Sequence, residues 1–404
     1  MVTLQGPARM RQGAELRELG LIRDGSILVQ DGIITQVGSS RRLENLKEAA
    51  NARILDARNL VVIPAYVDSV RDLLPLEDSL AAPQPEPVGS RSEALGTKDS
   101  EIFYTFHALN TVVRRLEREV LRLERGGTLF SQFQLRFPDQ PALQSRLLRN
   151  LLQLDLQRQS FRAELHFDRV PDLSIGSGTP FSHRLPRAAR GFWKQLQPSI
   201  AVSVRSAAIS GLGAPEQLRK LRLLFDDLPG FLVGPEALTA ESLLDLCLGT
   251  GSSVMGTPPT TRNEQELFAR FAVPWLVPAA SLVFGPSSAI ANLQDAIRAG
   301  MHLALCSGLD VNARSVSSPM AASALLRQNG GVFVEELLHL SIVNLAFALG
   351  VGDRLGTIEA GKEGSLVLLD CDDYREIGTQ LGMPPVRGIL RRGILANDCL
   401  RLHG

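Results

Sequence analysis

Four side chains in this chain of 404 residues have the type and setting for chemistry: Asp310, Glu236, Asp72 and His166. A carboxylate at the end of a strand can take a proton as general base or hold a cation, so Asp310 and Glu236 are the catalytic candidates. Each also has a plain structural use. Asp310 can cap a loop together with Asn312, and Glu236 can open a helix, whose positive end favours an acid. Asp72 follows Arg71 and can pair with it. His166 lies in Glu164-Leu165-His166-Phe167-Asp168, ahead of Val170-Pro171, where a loop would present it; a lone histidine also serves as a structural or surface residue. His107 precedes a helix, His302 sits in a helix–strand connection, His339 lies inside a helix, and His403 is terminal. The cysteines Cys247, Cys306, Cys371 and Cys399 stand far apart in or beside apolar runs, with no C-x-x-C pair. They read as reduced, small core residues.

The elements that must position these groups begin and end as β structure. Residues 26–38 read as two strands around Asp31-Gly32, a pair that supplies the positive φ angles of a tight hairpin. Ala52–Asp56 and Leu60–Ile63 read as a third and fourth strand. Residues 79–100 carry Pro83, Pro85 and Pro87 among Ser, Gly and Ala, and read as an irregular loop. Leu109, Val112, Val113, Leu116, Val120 and Leu123 then recur at helical spacing, and Gly126-Gly127 stops that helix before a strand at Thr128. Alternation continues: Val273–Pro278 is a buried strand, Ala289–Ala299 a helix, Leu303–Cys306 a strand, and Val334–Leu349 a helix ending at Gly350. Ser365–Leu369 and Gly388–Gly393 bring strands back. Repeated βα steps between β ends predict an α/β fold: a (β/α)8 barrel over 65–354, with residues 1–64 and 355–404 in one small composite β-sandwich.

Bulk properties exclude other classes. The chain has 43 basic and 43 acidic residues, so no net field would gather nucleic acid or an anionic membrane. The charges of Arg9, Arg11, Glu15, Arg17, Glu18, Arg23 and Asp24 leave no signal-peptide core, and no run approaches the ~20 apolar residues of a membrane helix. A cytoplasmic protein is expected.

Particular words in the sequence resemble imidazolonepropionase of the amidohydrolase superfamily. They are Glu18-Leu19-Gly20-Leu21-Ile22, Val62-Ile63-Pro64-Ala65-Tyr66-Val67-Asp68, Asp353 to Lys362, and Pro385-Val386-Arg387. The resemblance implies a barrel whose strand ends hold a catalytic metal, with a His-x-His on the first barrel strand. Here Val70 and Asp72 occupy those places. Val233, near Glu236, and Met255 stand where further histidines are implied, and the final aspartate falls at Asp310 or at Gly308. Without a bound cation to lower a water's pKa from about 15.7 towards about 7, the family's hydrolysis fails. No cofactor is therefore expected, or else one weakly bound divalent metal, zinc or iron, with Asp72 and His166 as vestigial ligands. The leading expectation is an amidohydrolase-like protein that has lost its metal site and binds a small molecule or a protein partner, with a homodimer allowed. The alternative is an active hydrolase of C–N bonds in cyclic amides, with a sparse site of Asp72, His166, Glu236 and Asp310. A small-molecule sensor using the old pocket is a third.

Overall fold

The computed structural model describes residues 1–70, 97–138, 140–158, 161–167, 181–196, 200–204, 231–233, 239–250, 253–308, 316, 318–330, 332–379 and 385–396. Asp72, Glu236 and Asp310 fall outside them, as do Asn312, Cys399 and residues 79–96 of the proline-rich segment. The last residues of that segment, 97–100, are not loop but the start of helix Thr97–Arg125. The last proline before them is Pro87, so no ring interrupts the helical hydrogen bonds there.

In chain order the strands are β1 (Gly25–Gln30), β2 (Ile33–Ser39), β3 (Val61–Pro64), β4 (Tyr66–Val70), β5 (Thr128–Arg136), β6 (Phe161–Phe167), β7 (Ile200–Val204), β8 (Phe231–Val233), β9 (Ser253–Met255), β10 (Trp275–Pro278), β11 (Leu303–Cys306), β12 (Leu366–Leu369), β13 (Val386–Arg391) and β14 (Ile394–Leu395). The β1–β2 hairpin turns at Asp31 and Gly32, with φ of 52° and 84°, the left-handed pair that such a hairpin needs. Ala52–Asp56 is not a strand. Ile54 is 68% exposed, and an apolar side chain with no face to bury gives a ladder nothing to hold. Strands β4 to β11 follow one another in one sheet in the order of the chain.

The chain divides into two compact units. The first comprises Met1–Ser69, Leu123–Ser131 and Leu232–Gly404. Within it both chain ends meet in one sheet, β3–β12–β13–β14, over a core that includes Ile63, Tyr66, Val367 and Ile389. Strands β8 to β11 run parallel, with Trp275 opposite Leu303 and Leu276 opposite Met255. Helix Ser288–Arg298 makes the crossover from β10 to β11. The second unit comprises Val70–Arg122 and Gln132–Phe231. There β6 and β7 pair in parallel from Ala163 opposite Ile200 to Phe167 opposite Val204. Phe137, Phe181 and Trp193 pack at angles to one another, with ring centroids 5.1–6.5 Å apart. Among the described residues no helix is long and apolar enough to cross a membrane.

A closed eight-stranded barrel was expected, yet no backbone pairing joins β4 to β11 among the described residues. A side chain makes the link instead. Asp68, on β4 and fully buried, accepts hydrogen bonds from the amide of Ser307 at 2.8 Å, the hydroxyl of Ser307 at 2.5 Å, and the amide of Ser69 at 2.8 Å. Ser307 immediately follows β11. Its carbonyl accepts from Ala280 at 3.2 Å, beyond β10. Gly308 then turns with φ of 56°, and a Cβ there would lie 2.5 Å from Pro278 Cβ. Glycine is required at that point on both counts.

These contacts predict an order of damage in urea unfolding. Asp68→Ala orphans three buried donors and should cost more than about 3 kcal/mol, while Ser307→Ala keeps the amide bond and should cost about 1–3 kcal/mol. Gly308→Ala should cost more than about 2 kcal/mol, since left-handed strain of about 1–2 kcal/mol adds to the clash. A midpoint for Asp68→Ala close to that of the unaltered protein would show that the link is dispensable.

Candidate functional site

The positions singled out in the sequence lie at the C-terminal ends of their own strands wherever they are described. Val70 closes β4, Val233 closes β8, and Met255 closes β9. His166 is the penultimate residue of β6, opposite Ser203 in register. Asp72, Glu236 and Asp310 are outside the described residues, so no convergence of carboxylates can be drawn from them.

Met255 is only 2% exposed and packs with Val67, Phe130, Leu276, Ala304 and Cys306. Its thioether belongs to a core cluster, not to a polar pocket. The backbone around it is equally fixed. Gly256, next in the chain, donates its amide to Leu276 O at 2.9 Å and accepts from Trp275 Nε1 at 2.9 Å. The Trp275 ring meets Phe268 edge-on at 4.9 Å. An imidazole at this place would need a polar partner, and among the described residues of that cluster none beyond a thiol is offered.

A metal was the cofactor question posed by the sequence. Among the described residues no three His, Cys, Asp or Glu side chains converge as a metal-holding group. The described positions do not fit a zinc or iron ion: valine has no lone pair to give, and a buried methionine thioether is a poor ligand for a borderline cation. The described cysteines supply no substitute. Cys247, Cys306 and Cys371 are buried and unbridged. Burial pushes the Cys247 thiol up to about 12, and burial together with the carboxylates of Glu376, Asp373, Asp370 and Asp372 pushes Cys371 up to about 11. Neither is a thiolate near neutral pH.

The second unit holds a buried polar group that the sequence reading passed over. Glu164, 1% exposed on β6, accepts from Gln132 Nε2 at 2.9 Å and from Gln134 Nε2 at 2.7 Å, both glutamines being buried on β5. The signal for it was present: Gln132 and Gln134 alternate with Phe133 and Leu135, so one face of an otherwise apolar strand is polar. Such a cluster can orient a ligand's hydrogen-bonding groups only if it is itself held, and the shared carboxylate holds both amides. Glu164→Ala should destabilise the protein by about 2–5 kcal/mol by orphaning two buried amides, whereas Glu164→Gln, which keeps the shape and one acceptor, should cost clearly less. A loss for Glu164→Gln as large as that for Glu164→Ala in a thermal melt would mean that the second acceptor or the charge, not the shape of the side chain, is what Glu164 provides.

No protein-family profile matches the chain. Individual relatives do. Imidazolonepropionase of Solibacter usitatus (strain Ellin6076) is 26% identical over 433 aligned positions, covering 99% of this chain and 96% of that one. Imidazolonepropionase of Chloroflexus aggregans is 25% identical over 413, covering 97% and 95%. Among solved structures, E. coli guanine deaminase aligns with a TM-score of 0.63 at 16% identity, covering 93% of each chain. The zinc-complexed atrazine chlorohydrolase of Arthrobacter aurescens TC1 aligns at 0.65 and 16% identity, covering 93% and 90%. The chain thus resembles imidazolonepropionase along nearly its whole length, and its fold is that of amidohydrolase-superfamily deaminases and hydrolases.

Proposed function

We propose that this protein keeps the frame of an amidohydrolase, a (β/α)8 barrel with a small β-sandwich from residues 1–64 and 355–404, while its metal positions have become packing positions. It works as a non-catalytic binding or partner subunit in the cytoplasm. The observation that carries this reading is Met255, buried among Val67, Leu276, Ala304 and Cys306 at the end of β9 where the resemblance calls for an imidazole. Val70 and Val233, at the ends of β4 and β8, have no lone pair to give. With donors missing at three positions, the family's metal-activated water has no support, and hydrolysis by that route has no means of proceeding.

Of the site residues that the sequence offers, Asp310, Glu236 and Asp72 are acidic and His166 is a base. Carboxylates without an ion serve best as acceptors, so the ligand favoured is a small molecule presenting N–H or O–H donors. The competing reading, an active hydrolase of cyclic amides using Asp72, His166, Glu236 and Asp310, draws support from the uninterrupted length of the likeness to imidazolonepropionases.

Elemental analysis after dialysis should find substoichiometric zinc, iron and manganese. Turnover of imidazolone-propionate should equal that of buffer with each metal added. One tightly held metal per chain, with turnover abolished by Asp310→Asn, would establish the competing reading instead.

A further inference from the structure

Residues Gln5–Glu18 form a strap whose ends are drawn together by Leu4 N donating to Leu19 O at 2.8 Å and Thr3 N donating to Gly20 O at 3.3 Å. The strap lies along one helical stretch: an α-helix Val334–Leu338, a π-helix His339–Asn344 and an α-helix Leu345–Ala348. Three side chains of that stretch fasten it. Glu336 accepts from Arg17 Nη2 at 3.1 Å and Nε at 3.2 Å. Asn344 accepts from the Arg11 amide at 2.6 Å and donates to Arg11 O at 2.9 Å and Leu303 O at 2.7 Å. His339 Nε2 lies 3.2 Å from Glu18 O.

The Glu18 contact survives protonation, since an imidazolium still donates from Nε2; what charge changes is the ring's other nitrogen. A carbonyl can only accept, so Nε2 carries the hydrogen and Nδ1 of the neutral ring is a lone pair. Among the described residues Nδ1 is buried with no hydrogen-bond partner, and so is Nε of Arg11, a residue only 3% exposed, so a proton added at Nδ1 is a buried charge without an acceptor. We propose that His339 is an acid-sensitive latch: its protonation, beside the buried guanidinium of Arg11, releases the strap from the π-helix while the rest of the unit stays folded.

Charges from every neighbouring element bear on the ring. From the strap come Arg11, whose charge opposes protonation, and Glu15, whose charge favours it. Glu15 is shared with Arg9 at 2.6 Å, and Glu18 gives the carbonyl. On the helix, Glu336 is engaged by Arg17. Before β11, His302 senses Arg9 and Glu15, and Glu359 attracts Arg11. Burial dominates, holding His339 down at about 4 against an ordinary value of 6.5. The sign follows. Between pH 6.5 and 4 the released ring takes a proton and the latched ring does not, so the closed form is fully favoured above 6.5 and loses ground as pH falls towards 4. Gln12 and Gly13 of the strap wall a groove with Ala269, Arg270, Ala299 and Gly300, so release removes one of its sides.

The test is hydrogen exchange on the intact chain from pH 7.5 to 4.5, corrected for intrinsic rates, reading the Arg11 amide against the Trp275 amide, which donates to His302 O inside the sheet. Opening at Arg11 should rise up to about tenfold per pH unit below 6.5 with Trp275 unaffected. His339→Gln keeps an N–H for Glu18 O without a titrating group, and should flatten the profile. An unchanged slope in that variant, or Trp275 opening in step with Arg11, overturns the latch. Should the variant fold poorly, the His339 ring signal in the unaltered protein decides: titration near 6.5 overturns the proposal, and titration well below it coincident with Arg11 opening supports it.

Discussion

A carboxylate withdrawn completely from water must be satisfied by donors, and Asp68 finds them in two places. Ser69 is its neighbour, but Ser307 is 239 residues away. The strand that opens the eight-stranded sheet therefore rests on the residue that follows the strand which completes it. Until β11 is in place, burial of Asp68 on β4 leaves a charge short of two hydrogen bonds, a penalty of several kcal/mol. Formation of the first strand is thereby tied to formation of the last, and contacts so distant in sequence make for slow, cooperative folding. Gly308 and Pro278 extend the constraint, since the turn carrying Ser307 fits only with no side chain at 308.

Against this frame, the side chain at the end of β9 is a packing residue. Met255 contributes dispersion and apolar burial to a cluster that includes Val67, Phe130, Leu276, Ala304 and Cys306, and it does so without disturbing the backbone bonds of Gly256 and Trp275. The strands themselves are held elsewhere, by β pairing and by Asp68, so a strand-end side chain can change without loss of the frame. Fold and activity are separable for that reason. The Gln132–Glu164–Gln134 group shows the converse: buried polarity kept inside the second unit, with both amides held by one carboxylate.

Much of this architecture was readable because it depends on neighbours in sequence. Asp31-Gly32 forces its own hairpin, and the run from Val273 to Cys306 announces strand, helix and strand through local pattern. Ala52–Asp56 misled because an apolar stretch reads as a strand whether or not a partner exists to pair with it. Asp68 was visible as part of a family word but not as a link, since its partner is set by the register of β11. Glu164 was passed over because a lone acid inside a strand pattern looks like an edge residue until the facing glutamines are known. His339 read simply as a residue inside a helix; nothing local marks a π turn or the arrival of residues 11 and 18 against it.

That π turn makes the length of the helical stretch a structural property in its own right. It accommodates one residue more than an α turn would, and one residue is about 100° of rotation. Leu337 and Leu338 before it, and Leu345, Ala346 and Leu349 after it, are all buried, Leu338 in one core cluster and Leu345, Ala346 and Leu349 in another, so the extra residue sets the phase in which each half meets its own core. Removing any single residue between 339 and 344 would let the helix become regular and would swing the downstream leucines off Leu276 and Ala304, with which Leu345 and Leu349 now pack. The stretch can therefore accept substitutions but not a change of count, and among related chains its length should vary less than its sequence.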